Sequence, residues 1–171
     1  MKRSLLLFAC SAIVVGFVSC GKTPKLCDAD ALLSKPQLCP DRDSLGFGLE
    51  FCSGTFIGSR PINALTLRNG GMDDLKLSSV TTSGDPAFKY TFSWGSETST
   101  VVKGNKNVFI QVEFAPTAGV AYSGSISVAS NAENSPNKTF AVSGCGVPAD
   151  GGSSTCYSRD SGVISCGRDG G

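Results

Sequence analysis

Residues 108 to 114 constrain the fold more than any other stretch. Val108, Ile110, Val112 and Phe114 fall on one parity, and Phe109, Gln111 and Glu113 on the other. A period of two sends successive side chains to opposite faces of a strand, so the first set is buried and Phe109 points outward. Shorter sets repeat the pattern. Leu65 and Leu67 flank Thr66, and Leu75 and Leu77 flank Lys76. Phe88, Tyr90 and Phe92 alternate, as do Ile126 with Val128 and Phe140 with Val142. Turn signals separate them: Asn69-Gly70-Gly71, Gly84-Asp85-Pro86, Lys103-Gly104-Asn105 and Asn134-Ser135-Pro136-Asn137. About seven short strands at this spacing predict an all-β, antiparallel β-sandwich. No amphipathic helix of ordinary length is visible.

The sandwich pattern spans residues 45–147, and its flanks differ in character. Residues 20–44 are polar and broken by Pro36 and Pro40, with one helical turn expected over Ala29 to Ser34. This stretch reads as a tether. Residues 148–171 form a glycine-rich, cysteine-containing tail, with a flexible Gly151-Gly152-Ser153-Ser154 linker and a frayed end beyond Cys166.

At the N-terminus, Lys2 and Arg3 precede an uncharged run from Leu5 to Val18, followed by Ser19 and Cys20. A charged segment, an apolar segment and a small residue before the cut make a secretory signal over residues 1–19. Phe17-Val18-Ser19-Cys20-Gly21 resembles the lipobox of bacterial lipoproteins, with Phe17 where leucine is usual. The resemblance implies diacylglycerol on the Cys20 thiol, cleavage before it and acylation of the new amine. Two other readings share the pattern. One is an uncleaved anchor helix, against which the run's shortness counts, since a span needs about 20 residues. The other is a plain secretory cut near Ser19. Gly21 is not the aspartate that marks inner-membrane retention, so the lipoprotein resemblance implies the outer membrane, at its periplasmic face or the cell surface.

Removal of residues 1–19 takes Lys2 and Arg3 from the 15 basic residues, leaving a formal charge of −1 against 14 acidic ones. No basic footprint for nucleic acid exists. Six cysteines follow Cys20: Cys27, Cys39, Cys52, Cys145, Cys156 and Cys166. An even count in an exported chain implies disulfides. Zinc is disfavoured, because no CxxC pair occurs and the chain has no histidine. The missing histidine also removes Ser-His-Asp and Cys-His chemistry.

Five segments resemble abnormal-spindle/hydin-type immunoglobulin-like domains, including the bacterial choice-of-anchor D proteins. They are Leu45-Gly46-Phe47-Gly48, Leu65-Thr66-Leu67-Arg68-Asn69-Gly70-Gly71, Val112-Glu113-Phe114-Ala115-Pro116-Thr117, Ser123 to Ala132, and Val142-Ser143-Gly144-Cys145-Gly146. The resemblance implies a seven-stranded sandwich related to the major-sperm-protein fold, with disulfide-closed flanking segments and no cofactor. In such sandwiches the first and last strands lie side by side, which implies a Cys52–Cys145 bridge. Local pairs Cys27–Cys39 and Cys156–Cys166 then follow, one choice among about 15 connectivities.

The expected function is a non-catalytic binding or scaffolding module, held to a membrane through its N-terminal lipid and facing an envelope protein or polysaccharide. A structural spacer within a larger envelope assembly is the alternative. A two-carboxylate hydrolase is a remote one, with no carboxylate pair to favour it. Asp41, Asp43, Asp73 and Asp74 read as solvated turn carboxylates and lack the spaced oxygen ligands of a calcium loop. Tyr90, Trp94, Phe109 and Tyr122 are the candidate partner-binding residues, weighed against plain core packing for the aromatic run Phe88 to Trp94.

Overall fold

The computed structural model describes residue 27 and residues 34–48, 54–96, 98–149, 154–158 and 162–166. The signal segment, Cys20, the helical turn expected over Ala29 to Ser34, Cys52, the Gly151-Gly152-Ser153 linker and the tail beyond Cys166 lie wholly or mostly outside these residues. Among the described residues every regular element is a strand.

Two sheets face each other. One contains β1 (Leu38–Pro40), β4 (Ile62–Asn69), β8 (Asn107–Phe114) and β6 (Phe88–Phe92) in the order β1-β4-β8-β6. The other contains β2 (Ser44–Phe47), β10 (Asn137–Val147), β9 (Ala121–Ser130), β5 (Leu75–Gly84) and β7 (Thr100–Val102), in that order, with β3 (Thr55–Phe56) also on β10. The sandwich therefore has ten strands, where seven were expected. The additions are short: β1, β3 and β7 have three, two and three residues. Segments this brief show no alternation, so periodicity has nothing to register. Pairing is antiparallel throughout except for β2 and β3, which run parallel to β10. From β1 in one sheet the chain crosses to β2 in the other between Pro40 and Ser44, so residues 38–44, read as the end of the tether, contribute to both layers.

The sequence alternation maps onto the two faces. Leu65, Leu67, Ile110, Val112 and Phe114 of one sheet, and Leu75, Leu77, Ile126, Val128, Phe140 and Val142 of the other, are buried between the layers. Phe114 is at the centre, with its ring centroid 4.9 Å from Phe88, 5.4 Å from Phe47 and 5.3 Å from Tyr122. Gly144 of β10 lets that ring in. A Cβ built there would come within 2.6 Å of Phe114 Cζ.

Asn69 is a buried polar hub at one end of the sandwich. Its Nδ2 donates to the carbonyls of Asp73 (2.7 Å) and Val102 (3.0 Å). Its Oδ1 accepts from the backbone N–H groups of Gly71 (2.9 Å) and Gln37 (3.3 Å). One amide thus joins the segment before β1, the β4–β5 turn and the end of β7. Gly71 is packed so closely on the Lys35 carbonyl that no side chain fits.

A separate hairpin, β11 (Ser154–Ser158) with β12 (Gly162–Cys166), follows the sandwich. It changes the disulfide assignment. Cys27 is joined to Cys39, with Cα atoms 5.5 Å apart. Cys145, however, is joined to Cys156, with Cα atoms 5.7 Å apart. The expected Cys52–Cys145 and Cys156–Cys166 bridges are therefore corrected. The chain turns back after β10 and brings β11 to the Cys145 end of that strand. Within the hairpin, Cys156 sits opposite Ile164 and Cys166 opposite Ser154, two residues out of step.

Candidate interaction surfaces

The strands deliver the candidate aromatic residues to different places. Phe109 is paired with Thr66 on the outer face of the first sheet and is 42% exposed. Its backbone is pinned by Ser93, whose Oγ accepts from the Phe109 N–H at 3.0 Å and whose N–H donates to the Phe109 carbonyl at 3.0 Å. Tyr90, Trp94 and Tyr122 instead pack, partly buried, against the core cluster. Trp94 is stacked on Phe92 at 5.1 Å. The Tyr90 hydroxyl donates to the Ser83 carbonyl at 3.4 Å. Burial, and then the charge of Asp85, raise the Tyr90 pKa above its ordinary 10.0. Tyr122 Oη accepts from the Thr117 (3.0 Å) and Ala118 (2.8 Å) N–H groups, holding the loop between β8 and β9. The four residues do not form one patch. In β6 the parity that buries Phe88 also turns Tyr90 and Phe92 inward.

The turn carboxylates are engaged locally. Asp41 Oδ1 accepts from the Thr66 N–H at 2.9 Å. Asp74 is paired with Lys103 at 2.7 Å. Asp43 is paired with Lys138 at 2.8 Å, and the hydrogen bond and charge of Lys138 hold its carboxyl below the usual 3.8.

Two surfaces were not singled out from the sequence. The outer face of the second sheet is built of small, uncharged side chains. Across β5, β9 and β10 the rows read Ser79–Ala129–Asn137, Thr81–Ser127–Thr139 and Ser83–Ser125–Ala141. Hydroxyl pairs tie adjacent strands, Ser83 Oγ to Ser125 Oγ at 2.8 Å and Ser127 Oγ to Thr139 Oγ1 at 3.0 Å. The serines flanking Ile126 and Val128 were the available signal.

The second surface is an end of the sandwich. Phe56, Ile57, Ile62 and Val120 are among the seven large apolar side chains exposed among the described residues, with Phe56 at 56% and Ile62 at 61%. Topology gathers all four at one pole. Ile57 N–H donates to the Val147 carbonyl, Gly146 N–H to the Val120 carbonyl and Phe114 N–H to the Pro61 carbonyl. The opposite pole carries Asn69, Met72, Lys103 and Cys27, whose carbonyl accepts from Arg68 Nη2 at 2.9 Å. Segments of no regular period supply both poles, so alternation in the sequence does not reveal them.

Comparison with known proteins fits this architecture. The profile of the family described as HYDIN/CFA65/VesB-like, Ig-like domain matches residues 48–145. No curated protein matches the chain. Among solved structures, the ASH/PapD-like domain of human CEP192 (PapD-like domain 7) superposes with a TM-score of 0.50 at 17% identity, covering 66% of this chain and 87% of that one. A Porphyromonas gingivalis W83 protein of unknown function gives 0.47 at 19% identity, covering 64% and 46%. WR4, a C. elegans MSP family member, gives 0.41 at 7% identity, covering 62% and 95%.

Proposed function

The chain belongs to the family of HYDIN/CFA65/VesB-like Ig-like domains, and from that premise we propose that it is a non-catalytic binding or scaffolding module held at the cell envelope by lipid on Cys20. Cleavage before Cys20 leaves two anchors on one N-terminus, and two acyl signals give stable membrane attachment where one gives only marginal binding. The sandwich is then a rigid body that offers a surface to a partner.

The observation that carries this reading is where the exposed apolar side chains lie. Phe56, Ile57, Ile62 and Val120 share the pole opposite Cys27, where the tether enters. A few well-packed side chains at the centre of an interface supply most of its binding energy, and aromatic residues are enriched there. The partner class they suit is an envelope protein. A photo-cross-linking residue at position 56 or 62 is the test, with position 101 as control. Covalent adducts in living cells at 56 and 62, and none at 101, are expected. Absence of adducts at all three, with no envelope phenotype on deletion, overturns the reading.

A further inference from the structure

Anchoring at Cys20, proposed above, leaves open which end of the domain meets the membrane. The position of Cys27 decides it. Its disulfide to Cys39 fastens residue 27 beside β1, and Arg68 Nη2 holds the Cys27 carbonyl at 2.9 Å. Cys39 pairs with Arg68 in the β1–β4 register, so this fastening lies at the end of β4 where Asn69 begins the turn. Cys20 and Cys27 are seven residue steps apart. Fully extended they span about 25 Å at most, and as a flexible chain about 15 Å.

That reach is to be set against the length of the domain. The eight residues of β4 alone extend about 26 Å along the sandwich, and the turns at each end add to it. From Arg68, level with the fastening, to Ile62 is six residues or about 20 Å, and the Phe56 turn lies beyond, so laying that pole on the bilayer would need the leash drawn out almost to its extended limit and well past the ~15 Å of a flexible chain. The next described residue is Ser34, whose carbonyl accepts from the Asp73 N–H at 2.8 Å, and it serves as the comparison for a leash tied only there. The leash would then have 14 residues, reach about 50 Å, and permit either end.

We propose that the Cys27–Cys39 bond sets the pole of Met72, Lys103 and Lys106 against the lipid surface, with anionic phospholipid headgroups as its contact. Met72 is 56% exposed at the tip of the β4–β5 turn. Lys103 and Lys106 are exposed in the turn packed against it, Lys103 paired with Asp74; Asp73 beside it is exposed as well, and Lys76 is exposed on β5. Lysines are attracted to a negatively charged leaflet within about a Debye length of its surface. Exposed Met72 beside exposed lysines suits the boundary between headgroups and acyl chains. The Phe56 pole then points away from the membrane.

The test uses lipidated full-length protein in vesicles containing phosphatidylglycerol and a headgroup nitroxide lipid. Trp94→Phe removes the native tryptophan, and Met72→Trp or Phe56→Trp places a reporter at either pole. Quenching at position 72 about threefold or more above that at position 56 is expected from the extra 26 Å. Seven Gly/Ser residues inserted after Gly21 lengthen the leash with the disulfide intact, and the contrast should shrink. Co-flotation is scored separately. Protein that floats with equal quenching at both positions overturns the orientation alone. Protein that fails to float overturns the anchor, and the orientation with it.

Discussion

Asn69→Ala should be among the most destabilising single changes in the sandwich. Four backbone groups lose their partner. The Gln37 N–H bond, at 3.3 Å, is at the outer limit of useful geometry and counts for little. Asp73 is exposed, so water can reach its carbonyl. The Gly71 N–H and the Val102 carbonyl belong to buried residues and each lose the bond from Asn69 where water does not readily replace it. A buried unsatisfied polar group costs about 1–3 kcal/mol, so the pair sets a loss of about 4 kcal/mol. With a urea slope of about 2 kcal/mol/M, the unfolding midpoint falls by about 2 M. Trp94 fluorescence in urea reads it. Asn69→Asp sharpens the argument. It keeps the acceptor for Gly71 but turns a carboxylate toward two carbonyls, which favours the protonated form in the folded state. A folded pKa above the unfolded one means stability present at low pH and lost as pH rises through the folded value. The Asp variant should therefore recover in acid. A loss below about 1 kcal/mol for Asn69→Ala would refute the hub.

Other outcomes follow from the same geometry. Gly144→Ala forces a Cβ into the Phe114 ring, and overpacking of this kind should cost about 1–3 kcal/mol in urea or thermal unfolding. The Asp43 carboxyl should titrate below 3.8 by NMR and move back toward it in Lys138→Gln. Because its folded pKa is depressed, the stability this pair contributes is present above the unfolded value and lost as pH falls through the folded one. Its exposure keeps the effect small. Non-reducing peptide mapping should link Cys27 to Cys39 and Cys145 to Cys156, and a Cys52–Cys145 peptide would contradict the fold of the β11 end.

The sandwich was legible where strands are long enough to alternate. Val108 to Phe114 gave β8 with its buried parity and the outward turn of Phe109. Two-residue and three-residue edge strands carry no such signal. Asn69 read as a turn residue, which it is, but a turn motif does not say that its side chain lies inside. The cysteine pairing failed for a similar reason. The strand expected to be first, β2, does lie beside β10, but nothing in the sequence announced that β11 would fold back onto Cys145. Tyr90 and Trp94 were named for their chemistry, whereas their places were decided by the parity of β6 and by the tight turn after Phe92. The apolar pole was missed because its residues come from separate strand ends and loops and meet only in three dimensions.

Lipid attachment at Cys20 holds the domain at the envelope, and mass spectrometry of the mature N-terminus from isolated envelopes tests it directly. It predicts a first residue of Cys20 carrying a diacylglyceryl thioether and an acylated amine, and a Cys20→Ser variant that loses both. A mature chain beginning elsewhere, or beginning at an unmodified Cys20, would contradict it.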